Sequence, residues 1–215
     1  MSELALGAVP RRGGRPTRED AAALGERIVA VATELFLSHG FGATSIEAVA
    51  AAAGVSKRTF YHRFRDKPDL FRAVVRQLIA RWAAPYESEL VAGAAPIADT
   101  LVLAARRILA AALSPEALQL YRLLIAEAPR FSELALIINE QSAGAGARLG
   151  HYLAAEAQAG RLTLDDAGFA AEQFINMVLA GPRRRALGLG PAMKAPELDR
   201  WIQRSVKLFL QGCGG

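Results

Sequence analysis

A chain of 215 residues that is 52% hydrophobic, with 26 Lys and Arg against 21 Asp and Glu, has ample material for a core and room for one large domain or two modest ones. Its single cysteine, Cys213, excludes an internal disulfide and a cysteine-based metal site. No run approaches the roughly 18 uninterrupted apolar residues of a membrane span, and the N-terminal segment lacks the apolar core of a secretory leader, so the expectation is a cytoplasmic protein without membrane association.

The net charge of +5 is unevenly placed: residues 1–80 hold 12 basic and 8 acidic side chains, the remaining 135 hold 14 and 13. A polyanionic partner would therefore meet the first third. Abundant Ala and Leu, without period-two alternation, predict an all-α protein.

Residues 1–17 combine Gly7, Pro10, Gly13, Gly14 and Pro16 with Arg11, Arg12 and Arg15, the composition of a flexible basic arm. A helix follows over 18–39, with Leu24, Ile28, Ala32, Leu35 and Phe36 at helical spacing and Gly40 as its stop. Thr44 is the expected N-cap of a short helix, with Glu47 as its capping-box partner. Gly54 breaks that helix, and Ser56 caps the next, which runs to about residue 64. Asp66 opens another. These divisions predict an arm at 1–17, a compact three-helix domain at 18–65 and a larger helical domain at 66–215.

The larger domain reads as amphipathic helices over 97–113, 115–128, 132–159, 165–181 and 196–211. Pro96, Pro115 and Pro196 sit where a first turn tolerates proline, and Asp165-Asp166 reads as an acidic N-terminal cap. Gly144 and Gly146 mark a bend in the longest helix. "PRRRALGLGPAMKAP" reads as a basic connector between the last two helices.

The segment "AGVSKRTFYHRF" carries the functional signal. At about 100° per residue, Phe60 and Phe64 share one helix face, and Arg58, Thr59 and His62 occupy the opposite one. Lys57 and Tyr61 lie along one flank and Arg63 along the other. A helix so anchored presents outward groups to base edges and flanking groups to phosphates in a DNA major groove. Ala50 permits a close helix crossing, Gly54 takes the turn and Phe60 fills the wedge, as a helix-turn-helix requires.

The segment 36–71 resembles the DNA-binding domain of the tetracycline-repressor (TetR) family of transcriptional regulators. Thr44, Val49-Ala50, Ala53 to Ser56, Thr59 to Tyr61, Phe64, Lys67 and Leu70 carry the resemblance. Phe60 stands where the family more often has Leu, and Pro68 where it often has Glu. "EAPRFSELA", at 127–135, is similar to one subgroup. The resemblance implies phosphate contacts from Thr44, Ser56, Lys57, Tyr61 and Lys67. Arg58, Thr59 and His62 would face bases, in agreement with the angular reading. "RRGGRP" resembles an AT-hook core, so Arg11, Arg12 and Arg15 either enter a minor groove or add non-specific attraction.

The resemblance also implies a homodimer. Ala170, Phe174, Val178 and Gly181 on one late helix, with Leu198, Trp201, Ile202, Ser205, Leu208 and Phe209 on the other, would meet a second copy in a four-helix bundle; otherwise they are plain core. An unknown small-molecule effector would lie among Trp82, Tyr86, Leu103, Tyr121, Ile125, Ile138, Gln141, Tyr152, Phe174 and Met177, which as plain core would bind nothing. Arg106 and Arg107 are adjacent, so at most one faces inward. The expected function is a sequence-specific DNA-binding regulator, a repressor released from a palindromic operator by a small, mostly apolar ligand. The alternative is an architectural or ligand-independent DNA-binding protein. The helix opening at Asp66, with Lys67 at its DNA end, would be the lever. An enzyme is not expected, nor a metal or cofactor. His39, His62 and His151 are scattered, and no nucleophile elbow, P-loop or dinucleotide fingerprint is present.

Overall fold

The computed structural model describes residues 18–83 and 94–213; of these, the side chains at 18–21, 82–83, 138 and 141–145 lie outside the description. The described residues form α1 (Arg18–His39), α2 (Ile46–Ala52), α3 (Lys57–Tyr61), α4 (Lys67–Ala83), α5 (Ile97–Ala112), α6 (Pro115–Glu127), α7 (Glu133–Gln158), α8 (Ala167–Ala186) and α9 (Ala195–Cys213), with no strand among them.

Local chemistry sets most boundaries. Ser114 caps α6 by accepting the Ala117 N–H, with Pro115 in the first turn. Asp166 caps α8 by accepting the Phe169 N–H at 3.0 Å. Before α4, Asp66 accepts the Asp69 N–H and Asp69 accepts the Arg65 N–H, a reciprocal cap. α7 runs unbroken through Gly144 and Gly146. After it, the fully buried Glu156 carboxylate pairs with Arg161 of the α7–α8 turn.

The apolar side chains form two cores. One joins α1–α4 to α6 and the first part of α7, through Leu120, Leu123, Leu134 and Ile137. Phe36, Phe41 and Phe71 meet at its centre, with ring centroids 5.4–5.6 Å apart. The other joins α5, the latter part of α7, α8 and α9, and Phe174 meets Phe209 there edge to face at 5.0 Å. Among the described residues, only α7 contributes buried side chains to both.

The largest departure from expectation is at the end of α8. "PRRRA" is helix, not connector, and Pro182 is buried inside it. Proline in a helix interior leaves the carbonyl four residues earlier without its N–H donor. That carbonyl belongs to Val178, and the Trp201 indole N–H of α9 donates to it at 2.9 Å. Gly181 makes the approach possible: a Cβ there would lie 2.6 Å from the Trp201 ring. The connector is thus residues 187–194.

Candidate nucleic-acid interface

The reading head is built from α1 to α3. α1 ends at Gly40, in the left-handed region at φ 88°, and the α2–α3 turn is made by Gly54 at φ 66°. A Cβ at Gly54 would touch nothing within 4 Å, so glycine serves the turn's backbone conformation rather than a tight fit. Val49 and Ala50 of α2 and Phe60 of α3 close the angle between the helices; Phe60 is 0% exposed. The Phe64 ring packs beside it at a tilt, centroids 5.6 Å apart.

Ser56 caps α3: its oxygen accepts the Thr59 N–H at 3.1 Å, and the two hydroxyls lie 2.8 Å apart. α3 ends at Tyr61, sooner than its sequence pattern suggests, but His62 keeps helical backbone angles as the C-cap. Opposite Phe60 the surface is open. Arg58, His62 and Arg63 are exposed, and the Tyr61 ring, 52% exposed, leans edge-on against Phe60 at 5.5 Å. Lys57 reaches Glu47 of α2 at 2.6 Å. The hydrogen bond and charge of each hold the Lys57 ammonium above its usual pKa and the Glu47 carboxyl below its own. In solvent such a pair adds little stability, but it ties the flank of α3 to α2.

Two expected phosphate contacts are corrected. Thr44 is not the N-cap of α2. Ser45 is, with extended backbone angles and its side chain accepting the Ala48 N–H. Thr44 is 3% exposed; its hydroxyl donates towards Gly40 O at 2.8 Å and Leu35 O at 3.2 Å, back into the end of α1. Lys67 also turns inward. Its ammonium donates to Phe41 O, Gly42 O and Thr44 O at 2.8, 3.3 and 3.1 Å, and sits 4.5 Å above the Phe41 ring. Three donors meet three acceptors, so none is left for a phosphate. Burial lowers the Lys67 pKa, against the opposing fields of Glu127 and Glu133. Arg11, Arg12 and Arg15 lie outside the described residues.

The expected dimer surface is corrected as well. Ala170, Phe174, Val178, Ile202, Ser205 and Phe209 are buried within the single chain, five of them in the second core. Gly181 and Trp201 face each other inside the chain, and Leu198 packs against the same core. Of the predicted residues only Leu208 is open, at 61% exposure, and Phe169 of α8, which the stripe left out, is equally exposed. Thr163 N–H donates to Cys213 O at 2.9 Å. That bond brings the end of α9 to the start of α8 and puts both apolar side chains at the same end of the helix pair.

The described members of the expected effector lining do not form one wall. Phe174 and Tyr152 are core residues, and burial raises the Tyr152 phenol pKa. Met177 packs against that core. Tyr121 lies under the Arg183 guanidinium of α8 at 4.4 Å. Leu103 and Ile125 are exposed. Tyr86 and the side chains of Trp82, Ile138 and Gln141 lie outside the description. Arg106 points outward to Asp199 at 3.2 Å, while the Arg107 side chain turns in far enough to bury its Nε. A groove of about 260 Å³ between α1 and α6, lined by Phe36, Leu37, Leu123, Ala126 and Glu127 among others, contains none of the expected liners.

Two residues that sequence reasoning passed over hold the head to the larger domain. Glu127 accepts the Gly42 N–H at 3.2 Å, and the Phe131 ring meets Phe41 at 5.1 Å. Both belong to "EAPRFSELA", so the signal was present as a motif without a role.

Residues 28–74 match the family model described as bacterial regulatory proteins of the tetR family, and residues 99–212 match the AefR-like transcriptional repressor C-terminal domain. The chain belongs to the TetR family. A TetR-family transcriptional regulator from Mesorhizobium loti MAFF303099 is 31% identical over 91% of this chain and 98% of its own, with a TM-score of 0.78. The flavonoid-responsive regulator FrrA is 29% identical over 89% and 97%, also at 0.78. A stretch of 59 residues is 42% identical to the transcriptional repressor ComR of Escherichia coli K12, a match spanning 27% of this chain and 28% of that protein. The TetR-family assignment makes the exposed face of α3 the candidate DNA-reading surface. No helix among the described residues is long and apolar enough to cross a membrane.

Proposed function

We propose that this protein is a transcriptional repressor that binds a near-palindromic operator as a homodimer and leaves it when a small, mostly apolar effector binds. The observation that carries the reading is the division of α3. Phe60 is wholly buried while Arg58 and His62 stand open on the other side and Tyr61 along the flank. Arg58, Thr59 and His62 face the bases, and Ser56, Lys57 and Tyr61 meet phosphates. Thr44 and Lys67 are left out of this contact set, because their polar groups are held inside the head.

The homodimer is supported by Phe169 and Leu208, large apolar side chains exposed at one end of the α8–α9 pair. Two-fold symmetry would set two α3 helices on successive major-groove faces. Effector response is supported by the likeness to a regulator described as flavonoid-responsive and by the division of the large domain into two cores bridged by α7. An effector released from one state must bind the other more tightly.

The test is selection of bound duplexes from a random pool, followed by binding measurements on the best sequence and on random duplex. A preferred sequence with two inverted half-sites is expected, bound by two copies. Equal affinity for selected and random DNA would instead favour an architectural protein.

A further inference from the structure

The α1–α2 turn, residues 40–45, is gripped from two sides. Lys67 of α4 gathers three of its carbonyls. Glu127, the last residue of α6, takes one of its amides, the Gly42 N–H. The fit at Glu127 is close: a Cβ at Gly40 would stand 2.6 Å from its Oε1. The turn leads directly into Ser45, the cap of α2, and Glu47 of α2 holds Lys57 of α3. Displacement of the turn would thus carry the reading helix with it.

α6 is itself tied to the far end of α8. Tyr121 lies under Arg183, and Arg122 donates to Ala186 O at 3.5 Å. Glu127 therefore closes a line of contacts from α8 through α6 to the turn that sets α2. Lys67 secures the same turn from α4, so the turn is held by two helices that share the head's core.

We propose that Glu127 is a positioning residue for operator binding: by accepting the Gly42 N–H, it lets α6 of the large domain hold the α1–α2 turn, and with it α2 and α3, in the pose that fits DNA. The group that touches the turn is its acceptor oxygen. The proposal rests on α3 being the DNA-reading helix.

The test compares wild type, Glu127→Ala and Glu127→Gln in the full-length protein. The probes are the tightest duplex selected from a random pool and a random duplex of equal length. Glu127→Ala is expected to lower affinity for the selected duplex by about tenfold, with less than a twofold change on random DNA and faster hydrogen exchange at the Gly42 amide. Glu127→Gln, which keeps an acceptor oxygen, is expected to recover most of both losses. Wild-type affinity in Glu127→Ala would overturn the proposal, as would equal losses on both duplexes or no recovery with Gln. Failure of the DNA-reading assignment itself would show in the wild type, which would then prefer no duplex, and would overturn the proposal with it.

Discussion

α3 and α9 carry the same kind of pattern and use it differently. In α3, Phe60 faces inward and Arg58 and His62 outward. In α9, Ile202 and Phe209 face inward while Arg200, Arg204 and Lys207 are exposed. For α3 the reading from periodicity is also the observed surface. For α9 the apolar stripe, expected to meet a second copy, is covered by α5 and α8 of its own chain. Amphipathic spacing states that a face is covered, not which element covers it.

The anchoring of α3 depends most on Phe60. Phe60→Ala empties the wedge between α2 and α3 and should cost about 3–5 kcal/mol, measured by chemical denaturation. A loss below about 1 kcal/mol would mean that α3 is not anchored as described. On the α9 side, Leu208→Asp combined with Phe169→Asp should give a folded monomer by sedimentation. Operator affinity should fall about a hundredfold or more, because the linkage between two reading heads is lost. A dimer that survived both changes would place the interface elsewhere.

A smaller effect tests the α8–α9 contact that replaced the expected connector. Trp201→Phe removes the donor to Val178 O and should cost about 1–3 kcal/mol. In a Pro182→Ala background the cost should shrink, because the substituted residue has a backbone N–H of its own to offer. Equal costs in both backgrounds would show that the indole matters for its volume alone. The narrowest prediction concerns Arg58. Arg58→Ala should leave folding stability within about 0.5 kcal/mol yet lose about 1–3 kcal/mol of discrimination at one base pair, read by competition with single-base operator variants. Uniform weakening across all variants would make Arg58 a phosphate contact.

The legible features share a cause. The limits of α1, the cap at Ser56, the Gly54 turn and the Phe60 wedge depend on residues within about ten positions of each other, where spacing and side-chain type decide the outcome. Even so, the cap of α2 is Ser45, one residue beyond the expected Thr44. Thr44 and Ser45 are both capping types, and the choice between them depends on carbonyls at Leu35 and Gly40 that the threonine hydroxyl can reach only in the folded turn. Lys67 shows the same limit over a longer range. Nothing near it in the chain announces that Phe41, Gly42 and Thr44 will surround its ammonium with carbonyls.

Pro182 marks the far end of this scale. By local rules it ends a helix, and α8 continues through it because a residue of another helix supplies the missing donor. Helical character and the turns between the first helices follow from short stretches of sequence. So does the choice of the apolar side of α3, since these depend on backbone preferences and periodicity along one segment. Packing of the whole chain settles where Lys67 spends its hydrogen bonds, that α8 and α9 lock through Trp201, and that Glu127 reaches the turn before α2. Each of those depends on a donor and an acceptor distant in the chain, and no local pattern records which distant group will arrive.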